Sequence, residues 1–237
     1  MKRWIEPFGW RYLVRAGLAL SLVAGAASTL AQQTAAIATA HPLATAAGYE
    51  ILKRGGNAFD AAVAASAALG VVEPYSSGLG GGGFWLLHRA EDGHEVMVDA
   101  RETAPAAVRP EQYVDANGKP IPGATRRGGL AVAIPGAPAG LVHVATRYGK
   151  LPLSVSLAPA IRYARDGIRV DPRYVELAKL RERFLQEGRG TSIFLDGGHA
   201  PQPGYLLRQP ELATTLERLA REGASAFYSG AIAATLV

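Results

Sequence analysis

The chain contains no cysteine, which excludes disulfides, iron–sulfur clusters and thiolate metal sites and leaves stability to packing alone. Its five histidines, His41, His88, His94, His143 and His199, show neither H-E-x-x-H nor H-x-x-E-H spacing, so no metal and no cofactor is indicated. Charged residues make up only 19% of the 237, against 49% hydrophobic, a balance that suits one large globular domain and argues against disorder. No internal repeat or interdomain linker is visible.

What is present begins with a basic, then apolar, N-terminus. Lys2, Arg3, Arg11 and Arg15 precede the run "AGLALSLVAGAA" from Ala16 to Ala27, and "STLAQQ" follows with small residues. The apolar run is short of the ~20 residues needed to cross a bilayer. Residues 1–31 therefore read as a secretory signal peptide, with the mature part at 32–237 in the periplasm or outside the cell and no lasting membrane span. These four basic residues account for most of the formal net charge of +5. Further along, the arginines between Arg162 and Arg189 are interspersed with Asp166, Asp171, Glu176, Glu182 and Glu187, which reads as a solvated helical face. A nucleic-acid partner is not suggested.

Helices are expected at 42–53, stopped by Gly55-Gly56, and from Ala58 to about Gly70, with Asn57 and Asp60 forming a capping box. The second is alanine-rich on all sides, as for a buried helix packed closely on a sheet. "FWLLHR" and "EVMVDAR" read as strands of a hairpin turning at Asp92-Gly93. In the second strand Val96, Val98 and Ala100 share one face, and Met97, Asp99 and Arg101 the other. "GGLAVAI" reads as a further short strand, followed by a turn at Pro135-Gly136 and helices at about 139–148 and 156–165. Residues 171–188 and 210–223 read as amphipathic helices. The pattern predicts a layered α/β (α+β) architecture with strands 83–89 and 95–101 in the centre, covered by helices such as 58–70.

Gly78, Gly80 and Gly83 satisfy G-x-G-x-x-G, but a dinucleotide fingerprint follows a strand and opens a helix, whereas this one follows a helix and opens a strand. No G-x-x-x-x-G-K-[ST] is present, and nucleotide binding is disfavoured. The run Gly80–Gly83 is better read as a place where another backbone or a ligand approaches closely. Arg101, at a strand end, reads from propensity alone as a solvated charge.

Taken together, "HPLA" (41–44), "ILKRGGNAFDAAVAA" (51–65), "VEPYSSGLGGGGF" (72–84), "DARETAP" (99–105), "IPGAPAGL" (134–141), "YGKLPL" (148–153), "APAIRYARDGI" (158–168) and "FYSGAIA" (227–233) resemble the gamma-glutamyltransferase, or glutathione hydrolase, family of N-terminal-nucleophile hydrolases. The resemblance spans nearly all of the chain after the leader. It implies a layered αββα sandwich and a proenzyme that cuts itself into a large and a small subunit. A threonine at the new N-terminus then attacks the gamma-glutamyl amide of a substrate such as glutathione, and the acyl group passes to water or to an amino-acid or peptide acceptor. The arginine of the "RE-x-A-P" motif, here Arg101, is implied to hold the substrate α-carboxylate, which a planar guanidinium can grip with two hydrogen bonds. Glu102 either orients it or is a neighbouring exposed charge.

The threonine motif of the family has no match. The nearest pair, Thr214-Thr215, precedes Leu216 inside a helical pattern. Residues 32–237 are therefore expected to be an incomplete large-subunit domain, lacking the nucleophile and needing the small subunit as partner. A catalytically inert product that only binds a partner or ligand, or part of a related acylase, are the alternatives.

Overall fold

The computed structural model describes residues 35–236, and residues from Ile37 onward form one compact unit. The expected signal peptide, residues 1–31, lies outside the described residues. Helix α1 (Pro42–Lys53) opens where His41 Nδ1 accepts the Leu43 N–H. Helix α2 (Ala58–Val72) runs two residues beyond the expected end at Gly70 and stops at Glu73, before Pro74. Asn57 Oδ1 accepts the Phe59 and Asp60 N–H groups, each at 3.0 Å, and Asp60 Oδ2 accepts the Asn57 N–H at 2.9 Å, completing the expected capping box.

Asp60 does more than cap. Its carboxylate is fully buried and also accepts the Lys150 N–H at 2.9 Å and the Leu151 N–H at 3.3 Å. Asn57 Nδ2 donates to the Tyr148 carbonyl at 2.7 Å. The start of α2 is thereby fastened to the turn between α3 (Ala137–Tyr148) and α4 (Leu153–Asp166). Both of these helices begin earlier than expected, with Pro138 in the first turn of α3 and Pro152 immediately before α4.

The alanine-rich α2 is buried as expected, but its main neighbours are the helices α1, α3 and α4, not a sheet. Small side chains allow this: Val63, Ala67, Ala68 and Val71 meet Ala44, Ala47, Val144, Leu157 and Ala160 in one apolar cluster. The hairpin forms as expected from β1 (Gly83–Arg89) and β2 (His94–Ala100), paired antiparallel with Trp85 opposite Val98 and Leu87 opposite Val96. Its turn has Gly93 at φ 69°. The helix against it is α3, where a Cβ on Gly140 would come within 2.8 Å of the Trp85 ring nitrogen. Leu87 points into the helical cluster, whereas Phe84, Leu86 and Met97 face outward, Leu86 at 83% exposure.

The strand expected from "GGLAVAI" does not form. Gly129–Ala131 is a 3-10 turn, and only Ile134 makes a bridge, to Thr103. Leu130 and Val132 are exposed and find no neighbouring strand edge among the described residues, so their apolar character alone does not impose extended pairing. After this segment the described residues form helices joined by irregular loops and one small strand pair. The two-residue strands β3 (Ile168–Arg169) and β4 (Leu206–Leu207) pair antiparallel. Between them lie α5 (Pro172–Gln186) and the short α6 (Gly190–Phe194), and after them α7 (Pro210–Glu222), α8 (Ser225–Tyr228) and α9 (Ala231–Leu236). Gln209, buried just before α7, donates its side-chain amide to the Val71 carbonyl at 2.8 Å, tying α7 to the end of α2.

Asp60→Ala should lower unfolding free energy by about 3 kcal/mol or more, read as a lower urea midpoint, because three backbone N–H groups lose a buried charged acceptor. Asp92→Ala removes a carboxylate with as many donors, Arg89 and the His94 N–H, but in the open hairpin turn. It should leave the urea midpoint close to the parent's, because solvent screens an exposed pair.

Candidate active site

Three backbone segments converge at the end of β2. Gly81 O accepts the Gly136 N–H at 3.0 Å and the Ala137 N–H at 2.9 Å, while Thr103 and Ile134 exchange both of their backbone hydrogen bonds at 3.1 and 2.8 Å. A Cβ on Gly82 would overlap the Ala100 carbonyl oxygen and lie 3.0 Å from Arg101 Cα; a Cβ on Gly136 would overlap the same carbonyl. The glycine run is therefore a place of close backbone approach, and what approaches is the Ala100–Arg101 peptide. Gly80, by contrast, has open space where a Cβ would stand.

Tyr228 braces this junction from α8. Its hydroxyl donates to the Pro135 carbonyl at 2.7 Å and accepts the Ala139 N–H at 3.1 Å. Burial raises its pKa, so it stays protonated as a donor at neutral pH. In the sequence "FYSGAIA" reads only as a motif, because a single bracing hydroxyl leaves no periodic signal.

Arg101 follows β2 directly. Its backbone N–H donates to Asp99 Oδ1 at 2.9 Å, which fixes the exit of the chain from the strand. Its Nε donates to Glu102 Oε2 at 3.2 Å, and the guanidinium carbon lies 5.9 Å from the Phe84 ring centroid. The side chain is 63% exposed. Among the described residues the two terminal guanidinium nitrogens have no partner. The Glu102 carboxyl is held below its ordinary pKa first by its own backbone N–H, then by Arg101 and the Gly82 amide, with partial desolvation opposing. Glu102 is thus both hydrogen-bonded to Arg101 and joined to the glycine loop, more than a neighbouring exposed charge.

Beside this junction is a cavity of about 510 Å³, lined by Ser66, Gly70, Tyr75, Ser77, the Gly80–Gly82 loop and Glu102 among others. Its size is ordinary for a small-molecule site. Glu102 lines it and Arg101 does not. Burial, then the Glu73 carboxylate, raises the pKa of the Tyr75 hydroxyl. Thr214 and Thr215 sit within α7 with their hydroxyls donating to the Pro210 and Glu211 carbonyls, four residues back. Among the described residues no cluster of His, Cys, Asp or Glu could hold a metal ion, and no helix is long and apolar enough to cross a membrane.

Residues 44–237 match the gamma-glutamyltranspeptidase family. The chain belongs to that family. It is 38% identical over 201 residues to the glutathione hydrolase proenzyme of Bacillus subtilis strain 168, covering 84% of this chain and 34% of that protein. It is 41% identical over 234 residues to the glutathione hydrolase of Aspergillus flavus, covering 96% of this chain and 37% of the relative. The crystal structure of Helicobacter pylori gamma-glutamyltranspeptidase superimposes with a TM-score of 0.83 at 36% identity, over 86% of this chain and 59% of that one. The chain spans about a third of the length of the curated relatives it matches. The likeness establishes the layered α/β fold class of the N-terminal-nucleophile hydrolases, of which the hairpin and its helices form a part. Among gamma-glutamyltranspeptidase motifs, "GLGGGGF", "DARETAP", "IPGAPAGL" and "FYSGAIA" meet at one junction in this structure.

Gly82→Ala should destabilise the fold by about 2 kcal/mol through overpacking against Ala100 and Arg101, whereas Gly80→Ala should stay within about 0.5 kcal/mol of the parent. Paired urea melts of the two variants check this. Equal costs would mean that the glycines serve flexibility and not close approach.

Proposed function

We propose that this chain forms part of an enzyme that cleaves the gamma-glutamyl amide of substrates such as glutathione and passes the acyl group to water or to an amino-acid or peptide acceptor. Arg101 is the residue that holds the substrate α-carboxylate. The observation that carries this is the state of its guanidinium. Glu102 and the Phe84 ring fix its orientation through Nε and one side, while the terminal N–H groups remain available in the plane where a carboxylate can bind with two hydrogen bonds.

The amide of a gamma-glutamyl group is remote from its α-carboxylate, so a fixed arginine at that anion orients the whole chain toward a nucleophile. In the proposed reaction a threonine hydroxyl, with the α-amine of the same residue as base, attacks the amide carbonyl; the amine departs protonated and the ester is released by water or an acceptor amine. That threonine comes from a small subunit, since no segment of the 237 residues matches its motif and the paired hydroxyls of Thr214 and Thr215 are turned back on their own helix. The outward face of Phe84, Leu86 and Met97 is where the complementary sheet of the sandwich would be seated. Export through residues 1–31 to the periplasm or medium belongs to the same proposal.

In the complete enzyme, Arg101→Lys should raise KM for a gamma-glutamyl anilide by about ten- to a hundredfold, since losing one charge-assisted hydrogen bond is worth roughly 1.5–3 kcal/mol. Arg101→Ala should raise it further. Unchanged KM and kcat in both would remove Arg101 from the substrate site. Residues 32–237 alone should neither cleave themselves nor hydrolyse the anilide; turnover abolished by mutating a threonine within that range would place the nucleophile here instead.

A further inference from the structure

A second cavity, about 690 Å³, lies between the loop carrying Arg126 and Arg127 and one face of α5. Tyr174, Leu177, Ala178, Arg181, Phe184 and Leu185 recur at helical spacing along that face. Both Arg126 and Arg127 donate their backbone N–H groups to the Gly123 carbonyl, at 2.9 and 3.0 Å, and Tyr113 fastens the far side of the loop through the Leu130 carbonyl at 2.8 Å. The loop is thus held by its own hydrogen bonds, without using the arginine side chains.

Most arginines of the α4–α7 region are occupied. Arg162 pairs with Glu50, Arg165 with Glu217, Arg173 with Glu176 and Arg189 with Glu211, while Arg169 donates to the Gly204 carbonyl. Arg126, Arg127 and Arg181 line the cavity and have no carboxylate or carbonyl partner for their guanidinium groups among the described residues. The Arg127 guanidinium carbon is 4.6 Å from the Phe184 ring centroid, and Arg183, outside the cavity lining, stacks on the same ring at 4.5 Å. A cation–π contact consumes none of the guanidinium N–H donors, so those of Arg127 stay available to an anion. Against these three cations the lining contains one carboxylate, Glu187. Arg181 is exposed, as a solvated helical face requires, but stands outside the ion pairs of that face.

We propose that this cavity is a binding site for a short acidic peptide, its carboxylates held by Arg126, Arg127 and Arg181 and an apolar side chain lodged against Tyr174, Leu177 and Phe184. Charge complementarity calls for the carboxylates, and the aromatic and leucine lining calls for an apolar group between them. The planar fork of arginine grips carboxylate and phosphate alike; the apolar lining of Tyr174, Leu177, Ala178 and Phe184 between the cations favours a peptide side chain over a nucleic-acid backbone. Arg101 is not in its lining, although Pro74 and Tyr75 form a wall common to both cavities, and its test does not depend on the proposed reaction.

The test uses the complete protein and a fluorescein-labelled peptide of glutamates flanking one phenylalanine, followed by fluorescence anisotropy at low and at moderate salt. Binding should weaken with salt, fall at least tenfold in Arg127→Gln/Arg181→Gln, fall less in Arg127→Lys, and be indifferent to Arg101→Ala and to excess glutathione. The double variant should shift the thermal midpoint little, since both groups are exposed and make no ion pair, and only the Arg127 contact with Phe184 is lost. Absence of binding, or equal binding by the double variant, overturns the proposal. Displacement by glutathione or loss in Arg101→Ala would assign the peptide to the candidate active site, and equally tight binding of oligothymidylate or inorganic phosphate would reduce the cavity to a general anion patch; either result also overturns it.

Discussion

The buried Asp60 carboxylate is the constraint on which the rest of this structure depends. A charge fully out of water is tolerated only when its lone pairs are taken up by well-placed donors, and here the donors are the Asn57, Lys150 and Leu151 backbone N–H groups. They come from two places about ninety residues apart in the chain. Satisfying the carboxylate therefore fixes the position of the α3–α4 turn against the start of α2. Once α3 is fixed by its C-terminal end, its N-terminal end brings Gly136 and Gly140 against Ala100 and Trp85. Arg101 is then placed by backbone contacts, with no need for its own side chain to contribute to folding.

This division of labour separates motif residues that shape the backbone from those that present charge. Asn57 and Asp60, Lys150 and Leu151, Gly82, Gly136 and Tyr228 all act through backbone hydrogen bonds or through the absence of a side chain. The Arg101–Glu102 pair differs: Glu102 lines the first cavity, and the terminal guanidinium nitrogens of Arg101 have no partner among the described residues. A residue type dictated by backbone geometry tolerates no substitute, which is why such positions read as strong motifs without touching a substrate.

How much of this was legible follows the same line. Local physics was readable: the Asn57–Asp60 box, the helix stop at Gly55-Gly56, the hairpin turn at Asp92-Gly93 and the inward face of Val96, Val98 and Ala100 are all set within a few residues. Non-local partners were not. Nothing near residue 60 announces that its carboxylate will accept amides from residues 150 and 151, and an alanine-rich helix carries no mark distinguishing a sheet from three helices as its neighbours. "GGLAVAI" failed as a strand for the converse reason, because apolar composition was present and a pairing edge was not. Arg101 was legible only through its motif; its position at the junction of the glycine loop and the 134–137 segment required the structure.

Arginine pairing separates structural from functional positions in this chain. Arg162 and Arg165 join α4 to α1 and α7 through Glu50 and Glu217, and their charges are consumed in doing so. Ion pairs of this partly exposed kind contribute little to stability, about 0–1 kcal/mol each, yet they neutralise the surface and hold helices in register. Arg101, Arg127 and Arg181 differ in that their orientation is set by Glu102, by an aromatic ring or by the helix face, while terminal donors stay unspent. An unpaired guanidinium gains nothing for the fold that lysine or glutamine would not supply. Such unspent donors are the common ground of the two proposals, because a guanidinium with free terminal N–H groups can take a carboxylate with two hydrogen bonds.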